Sequence, residues 1–267
     1  MTEAGESLRF DRAVGYYDRT RALSPEASRA VTGLVAAELR DRGPAVEIGV
    51  GTGRIALPLH DEGIDLVGVD LSAAMLGQLV ENAGGSKPFP LACADATALP
   101  FGAGSFGAAI TCHVLHLIPE WRAALAEIAR VVGPGGVFLS DLGGWSSVYQ
   151  GPHRSILQRW ADIGGFDIEP RGAAEIAQVD EAMADLGWRA RPLPEIGSTK
   201  SYTLAELLGA LADGRWSCTW DSPEHARRAA ARTIEPWVQA NFGDLSESRE
   251  YEIHIAWRAY EQAPFRP

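Results

Sequence analysis

Cysteine is scarce in this sequence. Its 267 residues include only three, Cys93, Cys112 and Cys218, which are odd in number and widely spaced. Such a pattern indicates neither a disulfide framework nor a zinc site. We therefore expect three reduced, buried thiols in a cytoplasmic protein, because disulfides are rare in that compartment.

Long apolar runs and positive charge are also lacking. No stretch approaches about 18 uninterrupted apolar residues, so we expect no membrane-spanning helix. The N-terminal residues lack the apolar region and cleavage site of a secretory signal. Lysine and arginine number 24 against 35 aspartates and glutamates, which gives a net charge of −11. Because an acidic surface repels phosphate backbones, the composition argues against a nucleic-acid partner.

Short apolar runs alternate with helix-like segments between residues 45 and 140. The composition, with 46% hydrophobic and 22% charged residues, is ordinary for a globular protein. This alternation predicts an α/β fold, in which helices cover both faces of a mostly parallel sheet. Right-handed crossovers then bring the carboxyl ends of the strands to one edge, where ligands bind.

A glycine-rich loop follows the first apolar run. Gly49, Gly51 and Gly53 stand between the predicted strand at 45–48 and a helical segment. Glycines at such a place permit a tight turn and let a ligand approach bare backbone amides at a helix N-terminus. The loop therefore predicts a site for an adenosine-type cofactor.

Two classes of cofactor are compatible with this loop. The sequence GTGRIA at 51–56 fits the G-x-G-x-x-A dinucleotide fingerprint, and Asp70 lies 19 residues after Gly51. That spacing is close to the value of about 20 expected for an acid that binds a nicotinamide cofactor's ribose. Glu47 opposes a nicotinamide cofactor, because a carboxylate there would repel a pyrophosphate but suits a ligand that carries positive charge.

Taken together, the motifs resemble the class I S-adenosylmethionine-dependent methyltransferases, especially the group that acts on small molecules. The segment FDRAVGYYDRTR at 10–21 also looks like the one that precedes the domain in many members. The resemblance implies a Rossmann-like, doubly wound, mostly parallel seven-stranded sheet whose last strand is antiparallel, with helical insertions that cover the substrate. The matching stretches are VEIGVGTGRIALPL at 46–59, GVDLSAAML at 68–76, ADATALPF at 94–101, SFGAAITCHVLHLIPEW at 105–121 and IARVVGPGGVFL at 128–139.

The resemblance also implies how the polar residues of these motifs act. The loop from Glu47 to Gly53 would hold the methionyl part of S-adenosylmethionine. Asp70 would bind the ribose hydroxyls. Asp95 would accept a hydrogen bond from the adenine amine, with the backbone of Ala96 beside it.

The same resemblance implies roles for four further residues. Leu71 and Met75 would pack on the adenine ring, although an ordinary place in the core explains them equally well. Tyr17 and Arg21 would close over the cofactor, and a role on the protein surface is the alternative.

The resemblance divides the chain into a core and insertions. A N-terminal helical segment would precede the core, and the C-terminal YEIHIAWRAY would supply its antiparallel edge strand. The expected parts are the helical segment at 1–44, the cofactor-binding core at 45–142, a lid-like insertion at 143–172, a continuation of the core at 173–197, a helical insertion at 198–248 and the edge strand at 249–267.

Methyl transfer from a sulfonium is an in-line displacement, so the protein mainly aligns the reactants and excludes water. An oxygen or nitrogen acceptor can need a base, for which histidine is suited. His113, also a candidate cofactor contact, follows the fourth predicted strand, and His153 lies in the lid-like segment; both are candidate bases. We expect His116 to make a structural contact. No acidic or cysteine ligand pattern accompanies His113-x-x-His116, so no metal is expected.

Eight tryptophans are many for this length, and Trp145, Trp160, Trp216, Trp220 and Trp237 lie outside the matching stretches. They line a pocket for an apolar or ring-bearing substrate, or they hold the insertions together. The leading hypothesis is methyl transfer to an oxygen, nitrogen or carbon of such a small molecule. An NAD(P)-dependent oxidoreductase and a non-catalytic adenosyl-cofactor-binding protein are the alternatives, and the sequence does not predict the oligomeric state.

Overall fold

The computed structural model describes residues 7–142 and 152–262, which divide into two compact units. Among the described residues, the first unit comprises 7–142, 171–196 and 255–262, and the second comprises 152–170 and 197–254. The helices are α1 (Tyr17–Arg21), α2 (Pro25–Leu39), α3 (Ala56–Asp61), α4 (Ala73–Asn82), α5 (Trp121–Val131), α6 (Pro152–Gly164), α7 (Ile176–Asp185), α8 (Leu204–Asp213) and α9 (Glu224–Phe242).

Two helices of the first unit begin at serine caps. The Ser24 hydroxyl accepts a hydrogen bond of 3.1 Å from the Ala27 amide, and Pro25 occupies the first position of α2. The Ser72 hydroxyl likewise accepts one of 3.1 Å from the Met75 amide at the start of α4. These bonds satisfy amides that have no partner within a helix, so the caps fix where both helices start.

A seven-stranded sheet forms the centre of the first unit, with the strand order β3-β2-β1-β4-β5-β9-β6. The strands from β1 to β5 pair in parallel, and β9 runs antiparallel to both of its neighbours. This confirms the predicted mostly parallel sheet with an antiparallel strand. The strands are β1 (Ala45–Ile48), β2 (Leu66–Asp70), β3 (Leu91–Cys93), β4 (Phe106–Cys112), β5 (Val132–Asp141), β6 (Trp188–Pro192), β7 (Ile196–Tyr202), β8 (Arg249–Ile255) and β9 (Arg258–Gln262).

Apolar side chains cover both faces of this sheet. Val35 and Leu59, from α2 and α3, belong to one buried cluster, and Leu125 and Met183, from α5 and α7, belong to a second. Full burial of each such side chain contributes about 1.5–3 kcal/mol to folding. The fold is therefore doubly wound, as the sequence predicts.

The C-terminal strand differs from the expectation of one edge strand. The residues of β8 pair with β7 in a separate two-stranded sheet, and β9 lies between β5 and β6, so the edges of the large sheet are β3 and β6. Alternating burial in β8 suits a ribbon with one solvated face. Ala259 and Tyr260 in β9 are both buried, because they point to opposite faces of the sheet and each face is covered by an apolar cluster. Tyr260 stacks on Phe138 of β5.

The second unit has its own apolar core, formed by α6, α8 and α9. Trp160 is fully buried there and donates a hydrogen bond of 3.2 Å to the Arg227 carbonyl. Trp220 donates one of 2.9 Å to the carbonyl of Gly214. These two tryptophans therefore hold the unit together, as the packing hypothesis predicts, while Trp145 lies outside the described residues.

The structure tests the expectation of three buried thiols and the expectation of no membrane-spanning helix. Cys112 is buried, but Cys93 is exposed at the edge strand β3 and Cys218 is half-buried, so the prediction of three buried thiols is wrong. Within residues 7–142 and 152–262, no helix is both long enough and apolar enough to cross a membrane.

Candidate active site

A cavity opens at the carboxyl ends of the strands in the first unit. Its volume is about 650 Å³ with the open mouth included, within the range of about 300–1,000 Å³ typical of small-molecule sites. Of the predicted residues, the cavity is lined by Tyr17, Gly49, Gly51, Asp70, Leu71, Met75, Asp95, Ala96 and His113. The other predicted residues, which are Arg21, Glu47, Gly53 and His153, are not among those that line it in the described part of the chain.

The glycine loop requires glycine at each predicted position, because each has a positive φ, and at Gly49 a Cβ would also lie 2.3 Å from Val114 Cγ2. Gly49 and Gly51 line the cavity with φ angles of 73° and 56°, in the left-handed region that favours glycine. Gly53 also has a positive φ, of 87°, but a Cβ there would lie 2.7 Å from Leu57 Cγ. Gly53 therefore serves the packing of the loop against α3, and the ligand surface is formed by the first two glycines.

Asp70 ties the loop to the start of α4. One carboxylate oxygen accepts a hydrogen bond of 2.8 Å from the Gly51 amide, and the other accepts one of 2.8 Å from the Ser72 amide. Burial raises the pKa of Asp70, and the two amide donors oppose that shift. Because a carboxylate has about four acceptor sites, Asp70 keeps capacity for ligand hydroxyls at the cavity wall.

Asp95 lies at the cavity wall beyond β3. Its Oδ1 accepts hydrogen bonds from the Thr97 amide at 2.9 Å and the Thr97 hydroxyl at 2.8 Å. This turn fixes the carboxylate while leaving Oδ2 without a bond to Thr97. Leu71 and Met75 line the same cavity, so an apolar surface and a hydrogen-bond acceptor occur together there.

Glu47 is a buried acid two residues before Gly49. Its side chain is 2% exposed, and its Oε2 has no hydrogen-bond partner among the described residues. Burial raises the pKa of Glu47 to about 8, against the opposing charge of Arg54. A buried oxygen without a donor costs free energy, so a cationic ligand nearby would stabilise the ionised form.

The N-terminal segment is anchored to the loops around the cavity. Asp11 accepts a short hydrogen bond from the Ser72 hydroxyl. Asp18 accepts one of 2.5 Å from the Thr52 hydroxyl. Tyr17, between these anchors, lines the cavity. The sequence motifs do not identify either aspartate as a functional residue, although both lie in the segment FDRAVGYYDRTR, because nothing in that segment identifies their partners.

His113 lies at the end of β4 with a φ of 61°, an uncommon conformation for a residue other than glycine. Its Nε2 is 3.3 Å from Asp141 Oδ2. Asp141 Oδ2 is also 3.8 Å from the Cys112 sulfur, to which an Arg54 guanidinium nitrogen donates at 3.2 Å. Burial lowers the pKa of His113, and Asp141 opposes that shift. A chain of buried polar groups thus reaches the cavity at His113.

The ligand types in this chain of groups also suit a metal ion. Atoms of Cys112, His113 and Asp141 lie within 4.8 Å of one another. The sequence spacing cannot reveal this cluster, because Asp141 comes from the next strand. A metal needs the thiolate, whereas burial raises the pKa of the Cys112 thiol. The Arg54 guanidinium, which donates to the sulfur, would also repel a metal cation there. We therefore treat the cluster as a hydrogen-bond network.

The other two predicted histidines are neutral at pH 7. Burial lowers the pKa of His116 to about 3, and its Nδ1 lacks a partner in the described part of the chain. His153 belongs to the second unit, where its ring lies 4.1 Å from that of Tyr202 and 5.0 Å from that of Tyr251. Burial lowers its pKa to about 4. His113 is thus the candidate base that lines the cavity.

Comparison with known proteins agrees with the fold and with the position of the cavity. Residues 46–140 match the family described as "Methyltransferase domain". The carboxyl ends of β1, β2 and β4, which form the cavity, lie in this range. Residues 46–140 are therefore similar to a methyltransferase domain, which confirms the predicted resemblance to the class I methyltransferases.

Individual relatives give more detail. The chain is 32% identical over 148 residues to a demethylmenaquinone methyltransferase of Renibacterium salmoninarum, covering 55% of this chain and 56% of that protein. It is 27% identical over 183 residues to a malonyl-[acyl-carrier protein] O-methyltransferase of Salmonella typhimurium, covering 68% and 67%. The match thus spans little more than half the length of the first relative.

A solved structure shows the same fold at low identity. Phospholethanolamine N-methyltransferase 2 of Haemonchus contortus, in complex with phosphomonomethylethanolamine and S-adenosylhomocysteine, superposes with a TM-score of 0.53 and 16% identity. The similarity covers 95% of this chain and 58% of that one. None of the three proteins named here supports the nicotinamide-dependent alternative.

Proposed function

We propose that this protein transfers a methyl group from S-adenosylmethionine to a small molecule. One observation carries the proposal, namely that the cavity lies at the strand ends of the matched methyltransferase domain. The motifs that resemble the family contribute most of its polar wall. The cofactor, the substrate and the roles of individual residues are parts of this proposal.

The charge of the site supports a cationic cofactor. Glu47 Oε2 is a buried acceptor without a donor in the described residues. The ammonium group of S-adenosylmethionine is a donor of the matching charge, and it would bind beside Gly49 and Gly51, which precede α3. A pyrophosphate brings negative charge and no donor, so it would disfavour the ionised form of the same carboxyl group. This contrast is what favours the sulfonium cofactor over a dinucleotide.

The nucleoside part of the cofactor would lie along the next strand ends. Asp70 would bind the ribose hydroxyls with the acceptor sites that Gly51 and Ser72 leave open. Asp95 would accept from the adenine amine. Leu71 and Met75, which line the wall between them, would contact the ring.

When bound, S-adenosylmethionine supplies an activated methyl group. The residues of this chain would then align the acceptor and exclude water, which are the main needs of an in-line displacement. Tyr17 and Phe10 line the cavity from the N-terminal segment, and they would exclude water on that side. His113 is neutral at pH 7, because burial lowers its pKa, so it would accept a proton from an oxygen or nitrogen acceptor.

The apolar wall of the cavity supports an apolar or ring-bearing substrate. Leu117, Ile118 and Val114 line it on the side of His113, and apolar side chains with few polar groups are usual in sites for such molecules. The buried tryptophans of the second unit do not add to this argument, because Trp160 and Trp220 pack within that unit.

Isothermal titration calorimetry tests the cofactor assignment. We expect binding of S-adenosylmethionine and S-adenosylhomocysteine, and little heat from NAD or NADP. Tight nicotinamide binding without binding of either adenosyl compound would overturn the proposal. Transfer of a labelled methyl group to a panel of phenols, amines and carboxylic acids then separates an enzyme from a binding protein.

A further inference from the structure

The position of Asp141 beside His113 carries an inference about catalysis. We infer that Asp141 is a positioning residue, which holds Nε2 of His113 so that Nδ1 receives the proton of the methyl acceptor. The inference rests on the proposed function and adds a residue that the sequence motifs do not identify.

The register of the sheet brings the two residues together. In the pairing of β4 with β5, Cys112 lies opposite Asp141, so His113 is the first residue beyond the paired stretch. The His113 amide donates a hydrogen bond of 2.8 Å to the Asp141 carbonyl. This bond holds the backbone of His113 in its left-handed conformation, with a φ of 61°.

A second contact fixes the imidazole ring. Asp141 Oδ2 lies 3.3 Å from His113 Nε2, and the Asp141 side chain is only 8% exposed. The His113 side chain is 25% exposed and lines the cavity. One residue therefore holds both the main chain and the ring of His113, and a residue held at two points keeps its orientation without help from a ligand.

The ring contact decides which nitrogen is the base. A neutral imidazole has one N–H donor and one acceptor nitrogen, and the hydrogen bond made by one nitrogen sets the role of the other. Because the Asp141 carboxylate is an acceptor, it selects the form with the proton on Nε2. Nδ1 is then the acceptor, and no hydrogen bond within the described residues uses it.

The proton balance of the reaction agrees with this arrangement. The acceptor forms a bond to the methyl carbon and gives its proton to Nδ1, while the bond from carbon to sulfur breaks and its electron pair stays on sulfur. The positive charge of the sulfonium is thereby replaced by one on the imidazole. Asp141, 3.3 Å from Nε2, would stabilise that charge.

The groups around the pair favour a fixed carboxylate. The Cys112 sulfur lies 3.8 Å from Asp141 Oδ2 and receives a hydrogen bond from Arg54. Arg54 and Arg21 both act on His113 as positive charges that oppose its protonation, and Asp141 is the negative charge that favours it. Removal of the Asp141 carboxylate therefore removes the one group in this set that favours the protonated ring.

Nuclear magnetic resonance of protein labelled with ¹⁵N-histidine tests the inference without any substrate. The chain has six histidines, and His113→Gln identifies the signals of His113. We expect the proton on Nε2 in the unaltered protein and a shift toward the Nδ1 form in Asp141→Asn, whose amide can donate to Nε2. A His113 ring protonated on Nδ1 in the unaltered protein, or unchanged by Asp141→Asn, would overturn the inference.

Turnover with an acceptor from the methyl-transfer panel provides the second readout. Asp141→Asn should lower kcat about 100-fold, the lower range for a general base, and leave the affinity for S-adenosylhomocysteine and the unfolding temperature unchanged. Asp141→Glu should recover part of the loss, and the exposed Asp61→Asn should match the unaltered protein. Absence of S-adenosylhomocysteine binding to the unaltered protein would refute the proposed function, whereas full turnover by Asp141→Asn would refute only the role of Asp141.

Discussion

The two sides of the cavity differ in which part of the chain forms the wall, the backbone on one side and side chains on the other. At the ends of β1 and β2, glycines in the left-handed region and backbone amides on Asp70 form the wall. At the ends of β4 and β5, a network of side-chain contacts connects Arg54, Cys112, Asp141 and His113. The first side depends on local backbone conformation, which a motif can encode, and the second depends on the register of two strands far apart in sequence.

The largest expected effect tests the side of the cavity at the ends of β4 and β5, where side chains form the wall. His113→Gln should lower methyl transfer by about 10²–10⁴-fold, because it removes the proposed base, while the affinity for S-adenosylhomocysteine stays within a few-fold. Measurement of kcat and of calorimetric affinity separates these quantities. The exposed His225→Gln serves as the control, and equal losses in both variants would contradict the proposed role.

The next largest effect tests the side of the cavity at the ends of β1 and β2, where the glycine loop and Asp70 form the wall. Asp70→Ala should weaken cofactor binding by about 1–3 kcal/mol, the usual cost of leaving hydrogen-bonding groups without partners, or about 5–150-fold in Kd. Calorimetry with S-adenosylhomocysteine measures it. Asp65→Ala changes an exposed aspartate at the other end of β2 and should bind normally. An unchanged Kd for Asp70→Ala would remove the ribose assignment.

A pH series sharpens the comparison at Glu47. Its native pKa of about 8 lies above the ordinary value of 4.5. Between pH 4.5 and pH 8 the Glu47 carboxyl group of the free protein is therefore protonated, and binding of a cationic ligand must release that proton. Affinity for S-adenosylmethionine should therefore rise by up to about tenfold per pH unit from pH 6 to 8 and then level off. Glu47→Gln should bind more weakly with a flat profile, and Glu81→Gln should retain the slope.

The raised pKa of Glu47 also makes the free energy of unfolding depend on pH. Because the native pKa of Glu47 is raised, its contribution to the free energy of unfolding is fully present below about pH 4.5 and is lost as the pH rises to about 8. Glu47→Gln should flatten this part of the stability profile, measured as the urea midpoint at several pH values. A profile identical to that of the unaltered protein would show that Glu47 ionises normally.

The smallest expected effect concerns the N-terminal segment. Asp18→Ala removes the acceptor of the Thr52 hydroxyl, a bond worth about 1 kcal/mol. We expect the Kd for S-adenosylhomocysteine to rise about fivefold, because Tyr17 would be less well ordered at the cavity wall. Asp61→Ala is the control, and equal affinities for the two variants would mean that the anchor does not affect binding.

The sequence predicts the core of the first unit well, because the signals there are local. Apolar runs, the glycine loop and the caps Ser24 and Ser72 each specify structure within a few residues. The sequence does not predict that Gly53 lies outside the cavity lining. Spacing cannot distinguish a glycine that a ligand needs from one that a neighbouring side chain, here Leu57, requires. Asp141 was missed for a related reason, since its partner is defined by pairing between strands.

The position of β9 has a consequence for synthesis of the chain. The strand that separates β5 from β6 consists of residues 258–262, whereas β6 is made some 66 residues earlier, since it ends at Pro192. On the ribosome, β6 and the helix before it must wait without their sheet partner while the second unit is being translated. Pairings between distant segments are slow and leave strand edges open to aggregation, so chaperone demand should be greatest in that interval.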